Sequence, residues 1–137
     1  MMIFIYGLSY KARREHLIQL FEQHRLDILV GTQMVVKGLD FDKVSLVGIL
    51  DADGLLAFAD FRVNERAFQL MEQVSGRAGR KKEQGKVLLQ AVNVKHHVLE
   101  WVKQHNYEKF YEADIETRKD FNYPPFSRIV KLILKNN

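Results

Sequence analysis

The alternation of apolar and polar positions divides this chain into short strands and amphipathic helices. Ile3 to Tyr6 is a short apolar strand. Gly7-Leu8-Ser9 follows, with Ser9 placed to cap the next helix. That helix is predicted over Tyr10 to His24, with Leu17, Leu20, Phe21 and His24 at helical spacing. Asp27 to Val30 is a second strand, stopped by Gly31. Val44 to Leu50 is almost wholly apolar, the pattern of a central parallel strand, and Asp51-Ala52-Asp53-Gly54 ends it with turn chemistry. Leu55 to Phe61 is apolar with no clear period. Helices are predicted over Arg62 to Val74, Val94 to His105 and Tyr107 to Phe121, with a strand at Lys86 to Val92. Tyr123-Pro124-Pro125 breaks the last helix, because proline supplies no N–H. Ser127 to Lys135 alternates as a final strand: Val130, Leu132 and Leu134 face one way, Ile129, Lys131 and Ile133 the other.

Strands alternating with helices predict an α/β fold with a mostly parallel sheet. At 137 residues the chain can bury one ordinary core, with perhaps the opening of a second domain. The Pro-Pro step is the only credible boundary. No apolar run approaches the roughly 20 residues that span a bilayer, and Met1 to Tyr6 reads as a strand, not a signal peptide. With no cysteine, thiolate metal sites and disulfides are excluded, which fits a cytoplasmic setting. The net charge of +4 permits contact with nucleic acid or nucleotide phosphates without demanding it.

The chemistry concentrates in Gln73-Val74-Ser75-Gly76-Arg77-Ala78-Gly79-Arg80. On a helical projection Arg77 and Arg80 fall near Gln73, while Leu70, Met71, Val74 and Ala78 cluster away from it. Gly76 and Gly79 strip bulk from between the arginines, so a flat anion can approach closely. Forked guanidiniums suit phosphate oxygens. The competing reading is a solvated basic turn. Upstream lies Gly31-Thr32-Gln33-Met34-Val35-Val36-Lys37-Gly38-Leu39-Asp40-Phe41. Thr32 follows a strand, where open α/β sheets place ligands; it either meets a phosphate or caps a short helix. Lys37-Gly38 is a cationic contact or a plain helix stop. Asp40 accepts from a ribose hydroxyl or sits in a turn.

Other clusters are weaker. Asp51 and Asp53 form a lone D-x-D with no His or Glu at ligand spacing. Asp60, Arg62, Glu65 and Arg66 make a charged patch that is solvated or orients Arg77 or Arg80. His96-His97 lacks a third ligand. Phe110, Tyr111, Phe121, Tyr123 and Phe126 are expected to be core; the alternative is a base-stacking platform. There is no G-x-x-x-x-G-K-[ST] loop, no acidic D-E-x-x box and no G-x-G-x-x-G fingerprint. The chain therefore carries residues that can complete a nucleotide site from one side only.

Together, Thr32 to Asp40 and Gln73 to Arg80 resemble the T-x-x-x-x-K-G-x-D and Q-x-x-G-R-x-G-R signatures, motifs V and VI, of superfamily 2 helicases. Adding Leu50-Asp51-Ala52-Asp53, Asp60-Phe61-Arg62, Glu65-Arg66 and Arg118 to Phe126, the chain resembles the PriA family of bacterial replication-restart helicases (primosomal protein N′). The resemblance implies a RecA-like second helicase lobe over residues 1–106, and the opening of a C-terminal domain over 107–137. It implies a cytoplasmic, ATP-driven 3′→5′ DNA helicase acting on branched or forked DNA, with primosome and single-strand-binding proteins as partners. ATP and Mg²⁺ would be held mainly by a first lobe that carries the phosphate loop. The family's zinc-binding cysteines have no counterpart here.

By position, the resemblance makes Arg80 the arginine finger, Arg77 a contact to phosphate or the acidic box, and Gln73 their positioner. Thr32, Gln33 and Lys37 would hold the DNA backbone. Asp40, Gly38 and Gly76 would border the nucleotide. The chain is then expected to be a fragment, inactive alone. Two other classes stay open: a non-catalytic DNA-binding or protein-docking module, and a self-sufficient nucleotide enzyme, which the missing phosphate loop disfavours. The final strand is expected to pack back on the lobe or pair with a second molecule.

Overall fold

The computed structural model describes residues 2–5, 14–31, 44–76, 85–130 and 132–134, with the backbone alone at 2–5, 14 and 15. Among these, β1 (Met2–Ile5), α1 (Arg14–Glu22), β2 (Ile28–Gly31), β3 (Leu46–Ile49), α2 (Ala52–Leu56), α3 (Val63–Ser75), β4 (Lys86–Leu89), α4 (His97–Lys103) and α5 (Tyr107–Asp120) follow in order. The four strands pair in parallel in the order β2-β1-β3-β4. This is the expected α/β lobe with a parallel sheet. In register, Ile5 pairs with Gly31 on one side and with Ile49 on the other, and Ile49 pairs with Leu89. The strand order reverses between β1 and β3, the crevice where such sheets hold ligands.

Burial follows strand position. In β3, Val47, Gly48 and Ile49 are all buried, as a strand covered on both faces must be. In β2 only Leu29 is buried, between exposed Ile28 and Val30. The core joins Phe21 of α1 and Leu29 to Val47 and Ile49. It continues through Ala67, Phe68, Met71 and Val74 of α3 to Val98, Leu99 and Val102 of α4 and Phe110 of α5. Phe68 and Phe110 stack with centroids 4.5 Å apart. Residues on both sides of the predicted 106/107 boundary thus share one apolar cluster.

Apart from the final strand, the predicted elements are present with their ends shifted or shortened; Gly31, expected to stop β2, is its last residue, and the helix stops explain part of the difference elsewhere. His24, His105 and Asn122 have φ of 57°, 50° and 53°. Each N–H bonds the carbonyl three residues back, and the next N–H reaches five back: His24 to Phe21 and Arg25 to Leu20, His105 to Val102 and Asn106 to Trp101, Asn122 to Lys119 and Tyr123 to Arg118. These are Schellman closures without glycine. A reading that waits for glycine misses them, and so carries α1 as far as His24.

The undecided stretch takes a definite form, and the final strand is corrected. Leu55 to Phe61 is the end of α2 followed by an irregular turn, with Asp60 Oδ1 accepting from the Arg62 N–H at 2.9 Å. The final strand does not form across the described residues 127–130 and 132–134. Phe126 N–H bonds Tyr123 O, and the Ser127 hydroxyl bonds Asn122 O, so local turns occupy the start of that segment. Val130, Leu132 and Leu134 remain exposed rather than packing back. An alternating pattern without a neighbouring strand has no ladder to join.

Candidate functional site

Helix α3 carries the described part of the arginine motif. Met71 and Val74 are fully buried and Gln73 is exposed, so the apolar and polar faces separate as the spacing predicted. The helix closes at Gly76, whose N–H bonds Glu72 O at 3.0 Å. Gly76 has φ −66°, an ordinary right-handed value, and a Cβ there would meet Glu72 O at 3.5 Å, an ordinary contact. Among the described residues, neither backbone nor packing calls for glycine at this position. The bare backbone at the end of α3 therefore leaves room for an approaching group. Beside it, Glu72 meets His105 Nδ1 at 3.0 Å, tying the end of α4 to the last turn of α3. Arg77 and Arg80 lie outside the described residues, as do Thr32, Gln33, Lys37, Gly38 and Asp40. Strand β2 ends at Gly31, the residue before Thr32, on the carboxyl edge of the sheet.

The D-x-D has a structural explanation. Asp53 Oδ2 accepts the Val92 N–H at 2.6 Å and Oδ1 accepts the Asn93 N–H at 3.1 Å. Those two amides hold its carboxyl below the ordinary aspartate range. Asp51 caps α2 from a left-handed φ of 56°, accepting from the Gly54 N–H at 3.1 Å. Ala52 N–H donates to Gln90 O at 2.9 Å. The Asp53 carboxylate clasps α2 to the loop after β4, at the carboxyl edge of the sheet, while the Asp51 carboxylate stays within its own turn. Among the described residues no group of His, Asp and Glu is arranged for a metal ion.

The charged patch faces α5 as well as solvent. Asp60 pairs with Arg66 at 2.9 Å and Arg62 at 3.6 Å. Its carboxyl is held low by the Arg62 amide first and the two guanidiniums after. Asp60 and Arg66 border an apolar hollow of about 270 Å³ lined also by Leu55, Phe58, Val63, Ala67 and Leu70. Glu65 turns away, to Arg118 of α5 at 2.8 Å. Arg118 also reaches Asp114 at 2.7 Å and Pro124 O at 3.4 Å, and lies 5.3 Å from the Phe61 ring centroid. Burial opposes its charge, but Glu65 and Asp114 outweigh burial and hold the guanidinium protonated. Sequence reasoning missed this hub. The Asp114/Arg118 spacing of one helical turn was its visible signal.

The expectation that the C-terminal aromatics are core holds for Phe110 alone. Tyr111, Phe121 and Phe126 are exposed and Tyr123 is partly so. The chain reverses at Asn122, which leaves the rings after α5 outside the helix's buried face. His96 Nδ1 accepts the Val98 N–H and caps α4, which requires that nitrogen bare of a proton. His97 stacks on Trp101 at 5.8 Å.

Residues 2–82 match the helicase conserved C-terminal domain family, a span that contains both motifs and the whole parallel sheet but its last strand. The chain belongs to this helicase C-terminal domain family. Its similarity to individual proteins runs further along the chain. It is 45% identical over 122 residues to the replication restart protein PriA of Synechocystis, covering 89% of this chain and 15% of that protein. It is 46% identical over 118 residues to the replication restart protein PriA of Bacillus subtilis, covering 86% of this chain and 15% of that one. For the PriA of Borreliella burgdorferi the identity is 37% over 119 residues, with 87% and 18% covered. The chain thus spans less than a fifth of these relatives' length. Among its described residues no helix is long and apolar enough to cross a membrane.

Proposed function

We propose that this chain is the second RecA-like lobe of a cytoplasmic ATP-dependent 3′→5′ DNA helicase of replication restart, together with the opening of the domain that follows. The observation that supports it best is the coincidence of both motifs, in order, within the residues that match the helicase family. In this reading Arg80 meets the γ-phosphate, Arg77 meets phosphate or the acidic box of a first lobe, and Gln73 positions them. The exposed amide of Gln73 on α3 and the unencumbered backbone at Gly76 fit that role. Thr32, Gln33 and Lys37 hold the DNA backbone, and Gly38 and Asp40 border the nucleotide. ATP with Mg²⁺ supplies the phosphoryl group, and a lobe with a phosphate loop binds most of it. A guanidinium that meets transition-state charge accounts for factors on the order of 10³–10⁵. Branched or forked DNA, primosome proteins and single-strand-binding proteins are the proposed partners.

The test is DNA-stimulated ATP hydrolysis, measured on this chain alone and joined to a lobe with a phosphate loop and acidic box. The chain alone should give no turnover. The joined protein should turn over, and Arg80→Ala should lower its rate at least about 100-fold with folding retained. Turnover by the chain alone, surviving repurification, overturns this reading. So does an Arg80→Ala protein that keeps full activity.

A further inference from the structure

Three aromatic rings after and beside α5 form a continuous stack. Phe61 and Tyr123 lie with centroids 5.4 Å apart and planes 27° apart; Tyr123 and Phe121 follow at 6.0 Å and 23°. Arg62 and Arg118 guanidiniums lie 5.2 and 5.3 Å from the Phe61 centroid. The far end of the stack is open: Phe121 is 67% exposed. Lys119 and Arg128 flank the rings in sequence, and neither belongs to an ion pair among the described residues.

We infer that the Phe61–Tyr123–Phe121 stack is a contact for single-stranded nucleic acid, with one unpaired base laid on the open face of Phe121. Aromatic rings backed by cations take successive bases without regard to sequence. The chemistry favours a nucleic acid over a peptide, because the exposed end of the stack is an aromatic plane and two guanidiniums lie against its other end. It favours a single strand over a duplex, whose bases are already stacked on one another. The inference rests on the helicase reading for its ligand class, but its site is separate from Thr32 to Asp40 and Gln73 to Arg80.

Fluorescence anisotropy of a labelled oligothymidylate, titrated with the 137-residue chain at about 50 and 200 mM salt, tests it. Phe121→Ala should weaken binding at least about fivefold. The slope of log affinity against log salt should not change, because no phosphate contact is lost. Phe121→Trp should bind like the unaltered chain, whereas Phe121→Leu, which keeps apolar bulk without a π system, should bind like Phe121→Ala. Lys119→Ala should flatten the salt slope. Irradiating an iodouracil-substituted oligonucleotide on the unaltered chain should label the peptide that carries Phe121. Absence of oligonucleotide binding, equal affinity of Phe121→Ala, equal losses for a blunt duplex, or a proline-rich peptide displacing the oligonucleotide from an unlabelled Phe121 would each overturn the inference. Those results leave the ATPase test of Arg80 untouched, so the two readings fail separately.

Discussion

Arg118 donates from Nη2 to Oε2 of Glu65 at 2.8 Å, across a sequence separation of 53. The contact fastens α5 to the first turn of α3, the helix whose last turn carries Gln73. The Arg118 side chain is only 14% exposed, so its charge depends on partners in a poorly solvated place. Arg118→Ala leaves Glu65 and Asp114 facing each other without a cation. We expect a loss of about 2 kcal/mol, less than a fully buried pair because Glu65 is partly solvated. Arg118→Lys should recover only part, since an ammonium cannot span both carboxylates. Urea unfolding checks both, and Arg118→Ala at unaltered stability would show the hub to be decoration.

Asp53 offers a test by pH. The Val92 and Asn93 amides depress its folded pKa below the ordinary range. A depressed carboxyl contributes stability that is present above its unfolded pKa and lost as pH falls through the folded one. Asp53→Asn should therefore be less stable than the unaltered chain at pH 7. The gap should narrow as acid passes below the ordinary aspartate range, and close once Asp53 is protonated. Thermal melts across pH give the answer, and a gap that is constant with pH would rule out a charge-assisted clasp.

Phe68 and Phe110 test whether α5 belongs to the lobe's core. Both are 3% exposed and their planes lie 12° apart. Either one changed to Ala should cost about 3–5 kcal/mol. The double-mutant cycle should show coupling of about 0.5–1.5 kcal/mol for the stacked pair. If residues 107–137 fold as a unit of their own, Phe110→Ala leaves the unfolding of the preceding residues unchanged, and the cycle reads zero.

What was legible in the sequence was periodicity. Val47 and Ile49 gave a central strand, and Met71 and Val74 gave the buried side of α3, because burial repeats at the spacing of the backbone. The helix ends were less legible, since His24, His105 and Asn122 do a glycine's work in the left-handed region. The Asp51–Asp53 pair was visible, but the purpose of Asp53 depends on Val92 and Asn93, about 40 residues away. Glu65–Arg118 was invisible for the same reason. The motifs around Thr32 and Arg80 were read by resemblance, and their geometry lies outside the described residues.

Ser127 to Leu134 leaves an apolar row in water. Alternation there promised a strand, but Val130, Leu132 and Leu134 are 82%, 85% and 97% exposed. Local turns at Phe126 and Ser127 occupy the beginning of the segment, and none of its described residues joins the sheet. The described apolar side chains are left facing water, in a segment whose backbone keeps β-forming residues next to one another. Such a segment pairs with its own kind when concentration allows. The chain should therefore self-associate reversibly as its concentration rises, while a version ending at Tyr123 stays monomeric. Leu132→Lys, which places a charge in the apolar row, should reproduce the shortened version at full length. Sedimentation velocity over a wide concentration range distinguishes the three proteins. Should the unaltered chain remain monomeric throughout, the exposed row is not sticky enough to pair, and its burial would need a partner of a different kind.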